Sequence, residues 1–287
     1  MKFITFRHDG TTRTGVLDTD TAEITPLANG EGLVDVIETW GNGTPEFSTT
    51  TLSLEEVELL APIPRPRRNI FCIGRNYLEH AKEFADSGFD ATASASHIPE
   101  HPVVFTKAPS TVIGTEAEID PHLQLTDGLD YEAELGVIIG TGGRNITKDQ
   151  AMNHVWGYTN INDVTARDMQ KKHAQWFLGK SLDTHCPMGP WAVTRDEVGD
   201  EPLDLLCTVN GETRQQANTA DLIFDIPTII ETISAGITLE PGDVIATGTP
   251  VGVGIGFKPP KFLAPGDVVE VSFSKLGTLR NQVGQGQ

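Results

Sequence analysis

Apolar and polar positions along the chain repeat on two periods, and the switch between them marks the elements. Residues 69–74, 103–107 and 135–140 are short β-branched or aliphatic runs and read as strands, while residues 155–163 alternate with a period of two. Helical spacing is rarer. Leu33, Val34, Ile37 and Trp40 recur on one face of a short helix, and Asp225 followed by Pro227 caps a second one over 227–235. Capping-box spacing of Asn76 with Glu79 and of Thr147 with Gln150 predicts two more helix starts, and Asp163 opens a helix over 164–171. Two Leu-x-Pro-Gly-Asp-Val echoes, at 239–245 and 263–269, read as hairpins. Residues 1–60 form a small β-rich unit around the Asp9-Gly10 turn. The proline-punctuated stretch 61–68 is a stiff linker to a larger domain over 61–287. The fold class is therefore mixed α+β, rich in strands.

One stretch breaks the pattern. In Asp130-Tyr131-Glu132-Ala133-Glu134-Leu135, two carboxylates run straight into an apolar strand. Side chains alternate along a strand, so Glu132 and Glu134 point one way and Ala133 and Leu135 the other. Two adjacent like charges repel unless they share a cation, and an all-oxygen set selects a hard ion such as Mg²⁺, Mn²⁺ or Ca²⁺ over Zn²⁺. Asp163, at the end of the alternating strand, is the third acid that such an ion needs. A solvated strand face is the commoner use of an E-x-E pair taken alone.

Composition narrows the partners. The chain has 287 residues, 38% of them hydrophobic, which is enough for a full core and excludes disorder. Its formal net charge of −19 repels nucleic acid and anionic membranes, so neither is an expected partner. Three scattered cysteines without a CxxC pair point to a reducing compartment, and the first residues have no long apolar run. A cytoplasmic protein is expected. An acidic substrate would have to be held by local cations inside a negative field.

Several groups qualify for such work. His80 and Glu83 stand at i and i+3 on a helix face, where a carboxylate fixes the imidazole tautomer and raises its basicity; a surface pair has the same spacing. The small polar residues after Glu83, up to Pro102, read as a lid or as a surface insertion. Lys107 faces either the site or solvent. Arg167 and Gln170 follow Asp163 at helical spacing, and Arg167 either serves a ligand or pairs with Asp163 or Asp168. Lys180 lies among apolar residues and needs an anion, whether a ligand or Asp183 or Glu132. The glycine-rich loop 246–254 brings backbone N–H groups toward an anion and lacks the Gly-Lys-Ser/Thr of a nucleotide loop.

Taken together, Gly74-Arg75-Asn76-Tyr77 with His80 and Glu83, Asp130-Tyr131-Glu132-Ala133-Glu134, Asn162-Asp163 with Arg167 and Gln170, Lys180-Ser181-Leu182-Asp183-Thr184 and Thr247-Gly248-Thr249-Pro250 are similar in order and spacing to the fumarylacetoacetate hydrolase superfamily. The likeness covers roughly residues 60–280 and is greatest to short members acting on acylpyruvates. It implies a β-roll or barrel-like catalytic domain in a homodimer, behind a variable N-terminal domain. It implies Glu132, Glu134 and Asp163 as ligands of Mg²⁺ or Mn²⁺ and His80 and Glu83 as a water-activating dyad. It further implies Lys180 and Gln170 as catalytic groups, and Arg75, Tyr77, Arg167, Gly248 and Thr249 as contacts to a keto-acid substrate. The expected reaction is hydrolytic cleavage of a carbon–carbon bond in a 2,4-diketo acid. Oxaloacetate decarboxylation and isomerisation of a 2-hydroxy-dienoate use the same enolate and stand as alternatives, and a non-catalytic Ca²⁺-stabilised binding protein is the reading from another class.

Overall fold

Strands laid side by side across the chain put the acidic stretch at the centre. The computed structural model describes residues 1–39, 45–87 and 99–286; Trp40 and most of the expected lid, residues 88–98, lie outside them. The larger sheet runs Leu52–Ser53, Glu23–Pro26, Thr11–Asp18, Lys2–His8, Cys186–Thr194, Val155–Asn162, Ala133–Ile139, Val244–Ala246, Ile70–Gly74, Val103–Lys107. The smaller sheet runs Glu212–Asn218, Asp204–Val209, Val268–Phe273, Gly277–Val283, Glu118–Ile119. Among the described residues the larger sheet stays open, so of the two expected forms, roll or barrel, the roll is the one found. The first residues lengthen it at one side, with Lys2 opposite Val193 and Phe3 opposite Ala192, and the smaller sheet packs on its face instead of closing its ladder.

Both faces of Ala133–Ile139 are covered, which is why that strand reads as a continuous apolar run. Leu135, Val137 and Ile139 face the core between the two sheets, together with Leu205, Val271 and Phe273. Ile138, on the opposite face, packs with Ile161, Met188 and Ile37 in a second core. Glu134 has the parity of Ile138. The same alternation that fills the core therefore drives a carboxylate into the protein at the strand's first turn.

Local signals fared unevenly. Asp225 caps the Ile226–Ser234 helix as expected, its Oδ1 accepting from the Thr228 N–H at 2.9 Å. Asn76 is not a cap. The helix starts at Leu78, and the Asn76 amide instead donates to the carbonyls of Phe224 and Thr247 and accepts from the Phe224 N–H, a long-range strap that outcompetes the local cap. Thr147 caps nothing either, since only a 3₁₀ turn, Ala151–His154, follows it. Asp163 lies before a two-residue strand, Thr165–Ala166, and the helix begins at Arg167. The two Pro-Gly-Asp echoes make the same turn, Asp243 Oδ2 accepting from Glu240 N–H and Asp267 Oδ2 from Ala264 N–H, each at 2.8 Å. They are not hairpins: each turn feeds a strand that pairs elsewhere. Among the described residues no helix is long and apolar enough to cross a membrane.

Candidate active site

Two adjacent strands meet at the acids. Ala133 pairs with Asn162, so Glu132 and Asp163 leave the ladder together, and the Asp163 N–H donates to the Glu132 carbonyl at 2.8 Å. One oxygen from each of Glu132, Glu134 and Asp163 lies within 4.8 Å of the others, and all three residues are buried. The face-sharing read from strand parity is thus realised, with Asp163 delivered by a strand end and not by a helix.

Buried carboxylates require compensation, and the cluster receives it unequally. Lys107, fully buried, donates to Asp163 Oδ1 at 2.6 Å, which places it at the site and not in solvent. Lys180 bridges Asp163 Oδ2 at 2.7 Å and Glu132 Oε2 at 2.8 Å, so its anion is Glu132 and not Asp183. Arg167 holds Glu132 Oε1 at 2.7 Å and Asp130 Oδ2 at 2.8 Å. Burial would raise the Glu132 carboxyl, but Lys180 and Arg167 outweigh it and hold it well below the usual range. Glu134 goes the other way. Burial, then the charges of Asp163 and Glu132, push its carboxyl far up, and its hydrogen-bond donor is the Gly248 N–H at 2.8 Å.

The donor set suits an ion: three buried carboxylates converge, and Glu134 has no cationic side chain hydrogen-bonded to its oxygens among the described residues. All-oxygen donors of this kind suit Mg²⁺ or Mn²⁺. Gly248 is fitted to its part, with φ of +101° and a position where a Cβ would stand 2.7 Å from that of Asn76.

The remaining groups line a narrow cleft in front of the acids: Arg75, His80, Arg167, Gln170, Lys180 and Thr249, with Phe84, Phe105 and Trp176 as an aromatic wall. Arg75 has φ of +57°, and its guanidinium stacks on Phe84 and Trp176 at 5.3 and 5.9 Å. Two expected substrate contacts do not line the cleft. Tyr77 is buried behind it, bridged to Leu222, and Gly248 commits its N–H to Glu134. A roomier groove beside Arg195 and Trp156 contains none of the acids, so chemistry and not volume marks the site.

His80 is buried, and its Nδ1 lies 3.1 Å from Glu83 Oε2. Glu83 also accepts from the Gly252 N–H at 3.1 Å, so both of its oxygens face donors. Nδ1 therefore carries the hydrogen and Nε2 is left as the basic nitrogen. The dyad is real in geometry and is not a surface pair.

Sequence reasoning passed over two residues. Asp130 ties Arg167 to the loop that also holds Glu83, accepting from the N–H groups of Gly254 at 2.6 Å and Ile255 at 3.1 Å. Gln215 is a buried polar residue on an otherwise exposed strand, Glu212–Asn218, and that inward polar position was the only signal.

Comparison with known proteins gives the family. The family described as fumarylacetoacetate (FAA) hydrolase C-terminal matches residues 69–284, and the one described as Rv2993c-like, N-terminal matches residues 1–62. Oxaloacetate tautomerase YisK of Bacillus subtilis is 52% identical over 240 residues, 83% of this chain and 77% of that protein. A fumarylacetoacetate hydrolase structure from Exiguobacterium antarcticum superposes with a TM-score of 0.86 at 43% identity, covering 100% of both chains. A 5-carboxymethyl-2-hydroxymuconate delta-isomerase structure from Mycobacterium smegmatis does so with a TM-score of 0.80 at 32% identity over 99% of each. The chain belongs to the fumarylacetoacetate hydrolase family of enzymes.

Proposed function

We propose that this enzyme is a divalent-metal-dependent tautomerase of oxaloacetate-type 2-keto acids, moving a proton between carbon and oxygen of the substrate. The observation that carries the reading is one cleft in which three converging carboxylates face a tautomerically fixed imidazole and a set of hydrogen-bond donors. The likeness to an oxaloacetate tautomerase and to a dienoate isomerase supports proton transfer over the hydrolysis expected first.

Glu132, Glu134 and Asp163 would hold Mg²⁺ or Mn²⁺, which supplies Lewis-acid polarisation of a keto group when bound. The chain's own residues do the rest. His80 Nε2 takes the proton from the carbon next to the ketone and delivers it to the former keto oxygen, or the reverse in the other direction, while Glu83 holds the ring and stabilises the imidazolium. Arg167 Nη2, buried and without a hydrogen-bond partner among the described residues, is left for a substrate carboxylate. Gln170 and Thr249 face the same space as donors. Lys180 bridges Glu132 and Asp163 and holds the two carboxylates in place.

Carbon–carbon hydrolysis is the second reading, favoured by the same His80–Glu83 pair, which is equally suited to deprotonating water. A substrate panel separates them. Enol-oxaloacetate absorbance should decay faster with the Mg²⁺-loaded protein without release of pyruvate; rapid loss of acylpyruvate absorbance with no effect on oxaloacetate tautomers would replace tautomerisation by hydrolysis.

A further inference from the structure

Hydrogen-bond accounting at Thr249 identifies a residue with a task outside the cleft. Gln215, buried on the strand of the smaller sheet, makes three hydrogen bonds. Its Oε1 accepts from the Ala133 N–H at 3.0 Å, and its Nε2 donates to the Pro250 carbonyl and to Thr249 Oγ1, each at 2.8 Å. The amide cannot be flipped. A backbone N–H needs an acceptor and a carbonyl needs a donor, so both ends are fixed by groups that have no choice.

The consequence falls on Thr249. Its hydroxyl accepts from Gln215 and makes no other hydrogen bond among the described residues, while the side chain lines the cleft. An accepting hydroxyl must send its own hydrogen elsewhere. Gln170 obeys the same logic, since its Oε1 accepts from Arg167 Nη1 at 3.2 Å and its NH₂ is thereby turned away. We propose that Gln215 is a positioning residue that holds the Thr249 hydroxyl as a dedicated donor to an anionic oxygen of the bound ligand. The inference rests on the reading of the cleft as a keto-acid site, and it adds that the cleft's neutral polar groups are set in advance to donate.

Oxalate, a small planar dianion resembling the enolate of a 2-keto acid, is a suitable probe, titrated calorimetrically into the Mg²⁺-loaded protein. Gln215→Glu keeps an acceptor for Ala133 and, as a carboxylate, gives Thr249 an oxygen to donate to, which turns its hydrogen inward. Gln215→Glu and Thr249→Val should each weaken oxalate binding by roughly 10-fold or more, the range of a hydrogen bond to a charged group. The double variant should be no weaker than the poorer single one, and Mg²⁺ affinity should stay within about two-fold, as a change confined to the hydroxyl's direction requires. Losses that multiply in the double variant, or a Gln215→Glu protein that binds oxalate like wild type or loses Mg²⁺, overturn the inference while leaving the site reading intact. A wild-type protein that binds Mg²⁺ but no oxalate overturns both. If Gln215→Glu does not fold, Thr249→Ser against Thr249→Val carries the test: serine must retain affinity and valine lose it, and equal affinities overturn the inference.

Discussion

Glu134 shows how strand alternation fixes the place of a single side chain. It stands second in a strand whose later residues are core, and alternation carries it into the interior beside two other acids. That much was legible in the spacing of Glu132 and Glu134. The cations were less so: Lys107 and Lys180 each had a surface or structural alternative, and only the meeting of distant strands brings both to Asp163. His185 carries a separate residue-scale prediction. It is buried under the site, its Nε2 donating to the Asp120 carbonyl at 3.1 Å, with Lys107 and His122 nearby. Burial first, then the Lys107 charge, lowers its imidazole from 6.5 to about 3. The unfolded chain then binds this proton below 6.5 while the folded one does not. Its contribution to stability is complete above that pH and is lost as pH falls toward 3, at about 1.4 kcal/mol per pH unit. Denaturant titrations between pH 7 and 4 should show a shallower slope for His185→Gln than for wild type; equal slopes would place the titration elsewhere.

At the scale of elements, the Leu78–Asp86 helix is held over the cleft by a loop, Gly252 to Gly256. Glu83 accepts from Gly252, Asp130 accepts from Gly254 and Ile255, and Val253 and Ile255 pack against Phe84. One loop thus fastens the imidazole's partner and the arginine's partner at once. A Cβ at Gly256 would collide with Glu83 Oε1. Gly256→Ala should displace Glu83, cutting kcat by roughly 100-fold, the low end of a general base's contribution, while Mg²⁺ affinity is unchanged. An unaffected kcat would show that the loop does not position the dyad. Helix boundaries were the poorly legible part of these elements. Asn76 and Thr147 satisfy capping patterns, but Asn76 spends its amide on Phe224 and Thr247, some 150 residues or more away, and no local pattern encodes that choice. Gln215 escaped for the same reason, since its partners Ala133 and Thr249 belong to other strands and loops.

For the whole molecule, strand content and the mixed class were readable from periodicity, whereas the open roll was not, because closure depends on which edges meet. Charge works at this scale as well. The chain carries a formal −19, while the substrate proposed for the cleft is an organic acid. On that reading the outer field repels what the inner donors would hold. Raising NaCl from about 0.01 to 0.15 M shortens the screening length from about 30 to 8 Å, so kcat/KM for oxaloacetate should rise a few-fold with salt. A fall would mean that local cations at the cleft mouth govern the encounter.

On the proposed function, Glu132, Glu134 and Asp163 hold one hard divalent cation that the reaction needs. Calorimetric titration of Mn²⁺ into metal-free wild type, Glu134→Gln and His80→Ala, with oxaloacetate tautomerisation followed on the same samples, checks this. One ion should bind per wild-type chain and per His80→Ala chain and none to Glu134→Gln, with turnover in the wild type alone. Undiminished Mn²⁺ binding by Glu134→Gln, or full turnover of the wild type in excess EDTA, would contradict it.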